Sequence, residues 1–212
     1  NAGSDKKKIS KKTNGITQWK GAKKKGLRYS RRMNFGLSEL WKEKKFDNYE
    51  AFLLLTNDTE FTKPKFAKKM LSILKKHKKV GILSTCSKTW GEKILLKKEK
   101  TKYFWFIHNT CYLIRKDFIK QIANFKKANY MNFLFDGSNF RGYGSESELI
   151  AKAYMNGRSA AITSEIWAEE NESYLKNFSK DIKTESFSNN LNLSFKEGLL
   201  WMKNKYGFNH KW

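Results

Sequence analysis

The chain has 212 residues, a net charge of +24, 39% hydrophobic residues and 15% aromatics. That composition can bury a core, so disorder throughout is excluded, and no apolar run approaches the roughly 18 residues that cross a bilayer. The charge invites nucleic acid or an anionic membrane as partner. It comes almost wholly from lysine, spread along the chain beside plentiful Asn, Ile, Phe and Tyr and the lone Pro64, as an AT-rich coding sequence also produces. On either account anionic ligands are favoured, diphosphates and lipid headgroups among them.

NAGSDKKK, at the start, reads as a loop that should follow a strand, so an N-terminally truncated fragment is expected. Residues 6–25 are lysine-rich and broken by glycines; they suggest a short helix and a loop, with a weak strand near Gly26 to Tyr29. Phe35, Leu37, Leu40 and Trp41 recur at helical spacing and predict a helix over 36–45. The apolar run ending at Leu55 predicts a buried strand over 48–55. Phe66, Met70, Ile73 and Leu74 share one face of a predicted helix over 63–76, with Pro64 in its first turn.

A strand over 80–85 follows, then a charged excursion over 91–102, then an aromatic-rich strand over 103–114. Helices are predicted over 117–125 and 145–156, the second closing at Gly157, with a glycine-punctuated loop between them. The strand over 160–168 is the last of the alternating elements. The alternation predicts an α/β fold with a mostly parallel sheet flanked by helices. A domain is expected over 1–168, with a helical and aromatic extension over 169–212. Packing is the expected role of the extension's aromatic stripe (Trp201, Met202, Tyr206, Phe208, Trp212); peripheral contact with a membrane is the alternative. Cys86 and Cys111 read as reduced, buried thiols of a cytosolic protein.

Three stretches carry candidate chemistry. In TNDTEF, Asp58 and Glu60 lie two apart at a strand end; extended geometry would point both at one divalent cation, Mg2+ or Mn2+ by their oxygen chemistry. An Asx-turn leading into the next helix is the structural alternative. In FDGSNFRGYGSESELIAKAYMNG, Ser145 and Glu148 form a Ser-x-x-Glu capping box, which leaves Glu146 free to take a proton from a hydroxyl. In AITSEIWAEENESY, Glu165, Glu169, Glu170 and Glu172 form an acidic cluster in a basic chain, either a solvated loop or a further ligand group.

Taken in order, NAGSD, RRMNFGLSELW, YEAFLLLTNDTEF, HNTCYLIRKDFI and FDGSNFRGYGSESELIAKAYMNG resemble the segments of GT-A glycosyltransferases of family 2, in particular the rhamnosyltransferase-like members. The resemblance implies a GT-A-type sheet, a nucleotide-sugar donor and a saccharide or lipid-linked acceptor, with a cytoplasmic location, either free or at the inner face of the membrane. It implies metal binding by Asp58, Glu60 and Glu170, with Glu170 or Glu169 where the family often has histidine. It implies catalysis by Glu146 as base, with Glu148 beside it, and donor binding by Asn34, Asn57 and Lys152. Lys152 stands where an arginine is usual, and Thr56 where the metal motif's first acidic or Asn residue would be. The implied reaction is inverting transfer assisted by Mg2+ or Mn2+. The competing reading is a non-enzymatic, basic nucleic-acid-binding protein, which explains the charge and leaves the carboxylates at strand ends unexplained.

Overall fold

The computed structural model describes residues 21–22, 29–56, 58–62, 64–89, 91–139, 141–171, 189 and 192–207. Expectations for most of the stretch before Tyr29, for Asn57, for Glu172 and for Phe208 and Trp212 lie outside the described residues. The chain divides into two compact units, one of Asn1–Asn48 with Ala123–Ser145, the other of Tyr49–Ile122 with Glu146–Trp212.

In the first unit, helix α1 runs over Tyr29–Lys42. It therefore begins well before the predicted position, because its buried stripe is polar at the start (Ser30, Asn34) and an apolar pattern detects only the later half. Asn34 is fully buried, and its amide closes four hydrogen bonds to the backbone of the 130–135 loop. Nδ2 donates to Tyr130 O at 3.2 Å and Phe135 O at 2.7 Å, while Oδ1 accepts from Leu134 N at 2.9 Å and Phe135 N at 2.8 Å. Beyond the helix, Phe125 packs edge-on against Trp41, Phe46 and Phe133, with ring centroids 4.6, 5.6 and 5.1 Å away. Gly142 holds a left-handed φ of 80°, and a Cβ there would come within 2.9 Å of Ser30 Oγ.

The second unit is a mixed sheet flanked by helices. Its elements in chain order are β1 Ala51–Leu55, β2 Thr59–Phe61, α2 Phe66–Lys76, β3 Val80–Cys86 and β4 Thr101–Tyr103. Then come β5 Cys111–Arg115, α3 Lys116–Ile122, α4 Ser145–Met155 (whose first residue belongs to the other unit), β6 Ser159–Glu170 and α5 Leu199–Tyr206. The sheet order is β1-β5-β3-β6-β2, with β4 also paired to β6. All seven residues of β3 are buried, as befits a central strand. From α2, Met70, Ile73 and Leu74 pack with Val80, Leu83, Leu113 and Ala161 to form the core.

The expected mostly parallel sheet is corrected. Only β3 and β6 pair in parallel; β1–β5, β3–β5, β2–β6 and β4–β6 are antiparallel. The cause lies between Cys86 and Cys111. That connection holds a short 3-10 helix at Gly91–Ile94 and β4, and no crossover helix among its described residues, so β5 enters reversed between β1 and β3. Strands β1, β3 and β6 still point one way. Their carboxyl ends, and the start of the reversed β5, therefore meet at one edge of the sheet.

Other boundaries also move. The predicted strand over 103–114 is two short strands, with residues 104–110 running between them without regular structure. Strand β6 continues through Ala168 to Glu170, where β2 pairs with its last three residues. The capping box is absent at Ser145, whose Oγ donates to Gly142 O at 2.6 Å and shares a hydrogen bond with Ser30 Oγ at 2.8 Å. Glu148 turns instead towards α5.

Candidate functional site

Thr110 organises this edge. It lies just before β5 and is 6% exposed. Its carbonyl accepts from Thr56 N at 3.1 Å and from Thr59 Oγ1 at 2.8 Å, which ties down both ends of the Asp58 turn. Its hydroxyl donates to Glu170 Oε1 at 3.0 Å. Asn171 completes the frame: its backbone N–H donates to Asp58 O at 2.9 Å, and its amide donates to Glu60. In the β2–β6 ladder Thr59 faces Glu170 and Glu60 faces Glu169.

Asn109, one residue earlier, reaches α4. Its Nδ2 donates to Glu146 Oε2 at 2.8 Å. Burial pushes the Glu146 carboxyl above its ordinary value, opposed by this bond and by Glu146's own backbone N–H. Two acceptor atoms in this region, Asp58 Oδ1 and Asn109 Oδ1, are buried with no hydrogen-bond partner. A buried carboxylate oxygen without a donor is costly, so such an atom marks a place for a cation or a ligand proton.

Thr110 also lines a small polar pocket, with Thr85, Ser87, His108, Glu169 and Glu170. It offers about 10 Å³ to the centre of a water molecule, room for roughly one water. Glu169 is fully engaged there, accepting from Ser87 Oγ at 2.7 Å, Thr89 Oγ1 at 3.3 Å and the Lys88 backbone N–H. His108 Nε2 lies 2.7 Å from Glu92 Oε1. Burial draws the imidazole below its ordinary value, against the pull of Glu92 and Glu169.

Four of the expected site residues thus share one framework: Asp58, Glu60, Glu170 and Glu146. Of the other described candidates, Glu148, Lys152 and Asn34 lie elsewhere. Glu148, 3% exposed, accepts from Lys205 Nζ at 2.8 Å and from the Tyr206 hydroxyl, with Lys152 Nζ at 3.5 Å. Glu148 therefore docks α5 onto α4, and Lys152 pairs with it along α4. Asn34 is in the first unit, its amide closed on backbone. Both cysteines are free and buried, and burial pushes each thiol up to about 12, so neither is a thiolate at neutral pH.

Sequence reasoning did not single out Asn109, Thr110, His108 or Glu92. The available signal was the polar triplet His-Asn-Thr set between an aromatic run and an apolar run, inside what reads as one strand over 103–114.

The donor set fits a hard divalent cation. Among the described residues no three His, Cys, Asp or Glu side chains are grouped to hold a metal alone. Mg2+ commonly binds through one or two carboxylates, completing its shell with water and substrate phosphates, and Asp58 Oδ1 is a buried carboxylate oxygen with no hydrogen-bond partner.

No protein-family model matches this chain, and no curated protein matches it. No helix among the described residues is long and apolar enough to cross a membrane.

Proposed function

We propose that this protein is a GT-A-type glycosyltransferase, transferring a sugar from a nucleotide-sugar to a hydroxyl of a saccharide or lipid-linked acceptor with inversion. The observation that carries the reading is the continuity from Glu146 through Asn109 and Thr110 to the Asp58 turn. It supports one site at which a carboxyl of raised pKa and an unsatisfied buried carboxylate oxygen serve different roles.

Glu146 takes the proton of the acceptor hydroxyl as that oxygen attacks the anomeric carbon from the face opposite the leaving group. A raised pKa suits a general base at neutral pH. Asn109 fixes the carboxyl's orientation through the Oε2 bond. Asp58 Oδ1 would hold Mg2+ or Mn2+, whose charge offsets that developing on the diphosphate leaving group. Thr110, Thr59 and Asn171 keep the Asp58 turn in place.

The test is donor cleavage or transfer by the full-length protein over a panel of nucleotide-sugars, with and without Mn2+. Metal-dependent turnover lost in Glu146→Gln is the expected result. Turnover unchanged by that substitution would remove Glu146 as base. No turnover with any donor would remove the reading. The net charge of +24 favours a second reading, nucleic-acid binding. Steep salt dependence of polynucleotide affinity would support it. The carboxylates gathered at the sheet edge count against it, because they repel phosphates.

A further inference from the structure

A second feature lies along the helix that carries Glu146. Trp105 is 64% exposed, yet its ring is not loose: it stacks on Tyr154 of α4 with centroids 4.1 Å apart and planes at 20°. The Tyr154 hydroxyl donates to Phe104 O at 3.4 Å, which pins the lower ring to the same segment. One face of the indole is thus covered by Tyr154, and the ring stays mostly open to solvent.

The placement has a direction. Residues 104–109 are anchored to α4 at two points: Phe104 and Trp105 at Tyr154, and Asn109 at Glu146. Tyr154 is eight residues beyond Glu146, which is about 12 Å of helix axis. The segment therefore runs antiparallel to the helix, with a flat aromatic surface at one end and the carboxyl at the other.

From this we infer that Trp105, backed by Tyr154, is a saccharide-binding ledge. The inference rests on the transferase reading for its assignment to the acceptor. A sugar ring presents a flat face of C–H groups that an open indole face can cover, and stacking needs no charge. Occupying the ledge places a unit of an oligosaccharide away from the reacting hydroxyl, with the chain leading towards Glu146. The acceptor is then an oligosaccharide of more than one unit rather than a lone monosaccharide.

Two other occupants fit less well. Nucleobases also stack on exposed aromatics, but a phosphodiester chain leading from the ledge would approach Glu146, Asp58 and Glu170. A bilayer interface takes up Trp at its amphipathic boundary, but an indole lying flat on Tyr154 presents a face rather than a protruding tip.

The experiment compares the wild-type protein with Trp105→Ala and Trp105→Phe on an oligosaccharide array, with affinities of the best probes measured by calorimetry. The side chain is exposed, so both variants should fold, and circular dichroism checks it. Expected is binding of at least one oligosaccharide, weakened about tenfold or more in Trp105→Ala and partly restored in Trp105→Phe. No binding by the wild type, or equal binding by the Ala variant, overturns the ledge. So does Trp105-dependent binding of anionic phosphatidylglycerol vesicles or of oligo-dT in place of saccharide. Donor cleavage without acceptor separates the two claims. Trp105-dependent saccharide binding with no donor cleavage removes the transferase and keeps the ledge. Transfer with an acceptor KM unchanged in Trp105→Ala does the reverse.

Discussion

Asn109 holds Glu146 by a single amide hydrogen bond of 2.8 Å, at a position where burial raises the carboxyl's pKa. A group placed for function is commonly stabilised less well than its surroundings allow.

Glu146→Gln tests this through stability. The folded value lies above the ordinary 4.5, so the protonated carboxyl contributes stability below 4.5 that is lost as pH rises through the folded value. At neutral pH the wild type carries that cost, whereas glutamine keeps an acceptor for Asn109 without the charge. Melting temperatures recorded from pH 4.5 to 8 should rise for the variant relative to the wild type as pH increases. Donor turnover should fall about 10²-fold or more. A variant that melts below the wild type at neutral pH would show that Glu146 stabilises the fold.

Asp58→Asn tests the cation. Any ligand that binds only the folded state raises its melting temperature. Millimolar Mn2+ should therefore raise the wild type's melting temperature, and the shift should disappear in Asp58→Asn. Equal shifts in both proteins would place the cation elsewhere. The readout needs no substrate and so stands apart from turnover.

The sequence revealed the edge more readily than the sheet. Leu53 to Leu55 followed by Thr-Asn-Asp marks a strand end with a carboxylate, because apolar burial and turn chemistry are both local. The reversed direction of β5 left no local mark, since a strand buried on both faces reads alike whichever way its neighbours run. Only the lack of a crossover helix among the described residues between Cys86 and Cys111 bears on it, and the charged excursion there hid that. Asn109 showed only as part of the polar triplet His-Asn-Thr, because its role depends on where α4 lies. Glu148 misled through spacing: Ser-x-x-Glu is a cap pattern, but the carboxylate is drawn away by Lys205 and Tyr206, far along the chain.

Asn34→Ala should destabilise the first unit. The substitution removes the partner of two backbone N–H groups and two carbonyls in the 130–135 loop. Orphaned buried polar groups cost about 1–3 kcal/mol each at most, and partial relaxation sets the expected loss at about 2–4 kcal/mol. Urea denaturation with an unchanged m-value is the check. A loss near zero would free Asn34 for the donor-binding role that the family resemblance implies.

His108 gives the second unit a separate pH response. Its folded value lies below the ordinary 6.5, so its neutral form contributes stability that is complete above 6.5 and lost as pH falls through the folded value. The difference in melting temperature between the wild type and His108→Gln should be constant above 6.5 and should change in the variant's favour below it. A difference that does not vary with pH would mean that the ring titrates alike in the folded and unfolded chains, and one that moves in the wild type's favour as pH falls would mean that Glu92 holds the ring protonated.

Glu148 is the remaining choice between structure and chemistry. Its carboxylate is 3% exposed and lies among Lys152, Lys205 and the Tyr206 hydroxyl, and Tyr206 is pushed up to about 12, by burial first and then by Glu148. In this arrangement the carboxylate fastens α5 to α4. Tyr206→Phe should cost about 1–2 kcal/mol and Glu148→Gln about 1–3 kcal/mol, and the double variant should lose less than their sum because the two share one hydrogen bond. Turnover per folded molecule should hold in Tyr206→Phe. A Glu148→Gln protein with wild-type stability and no turnover would reverse the assignment and place Glu148 beside Glu146 in the chemistry, with Lys205 and Tyr206 covering it.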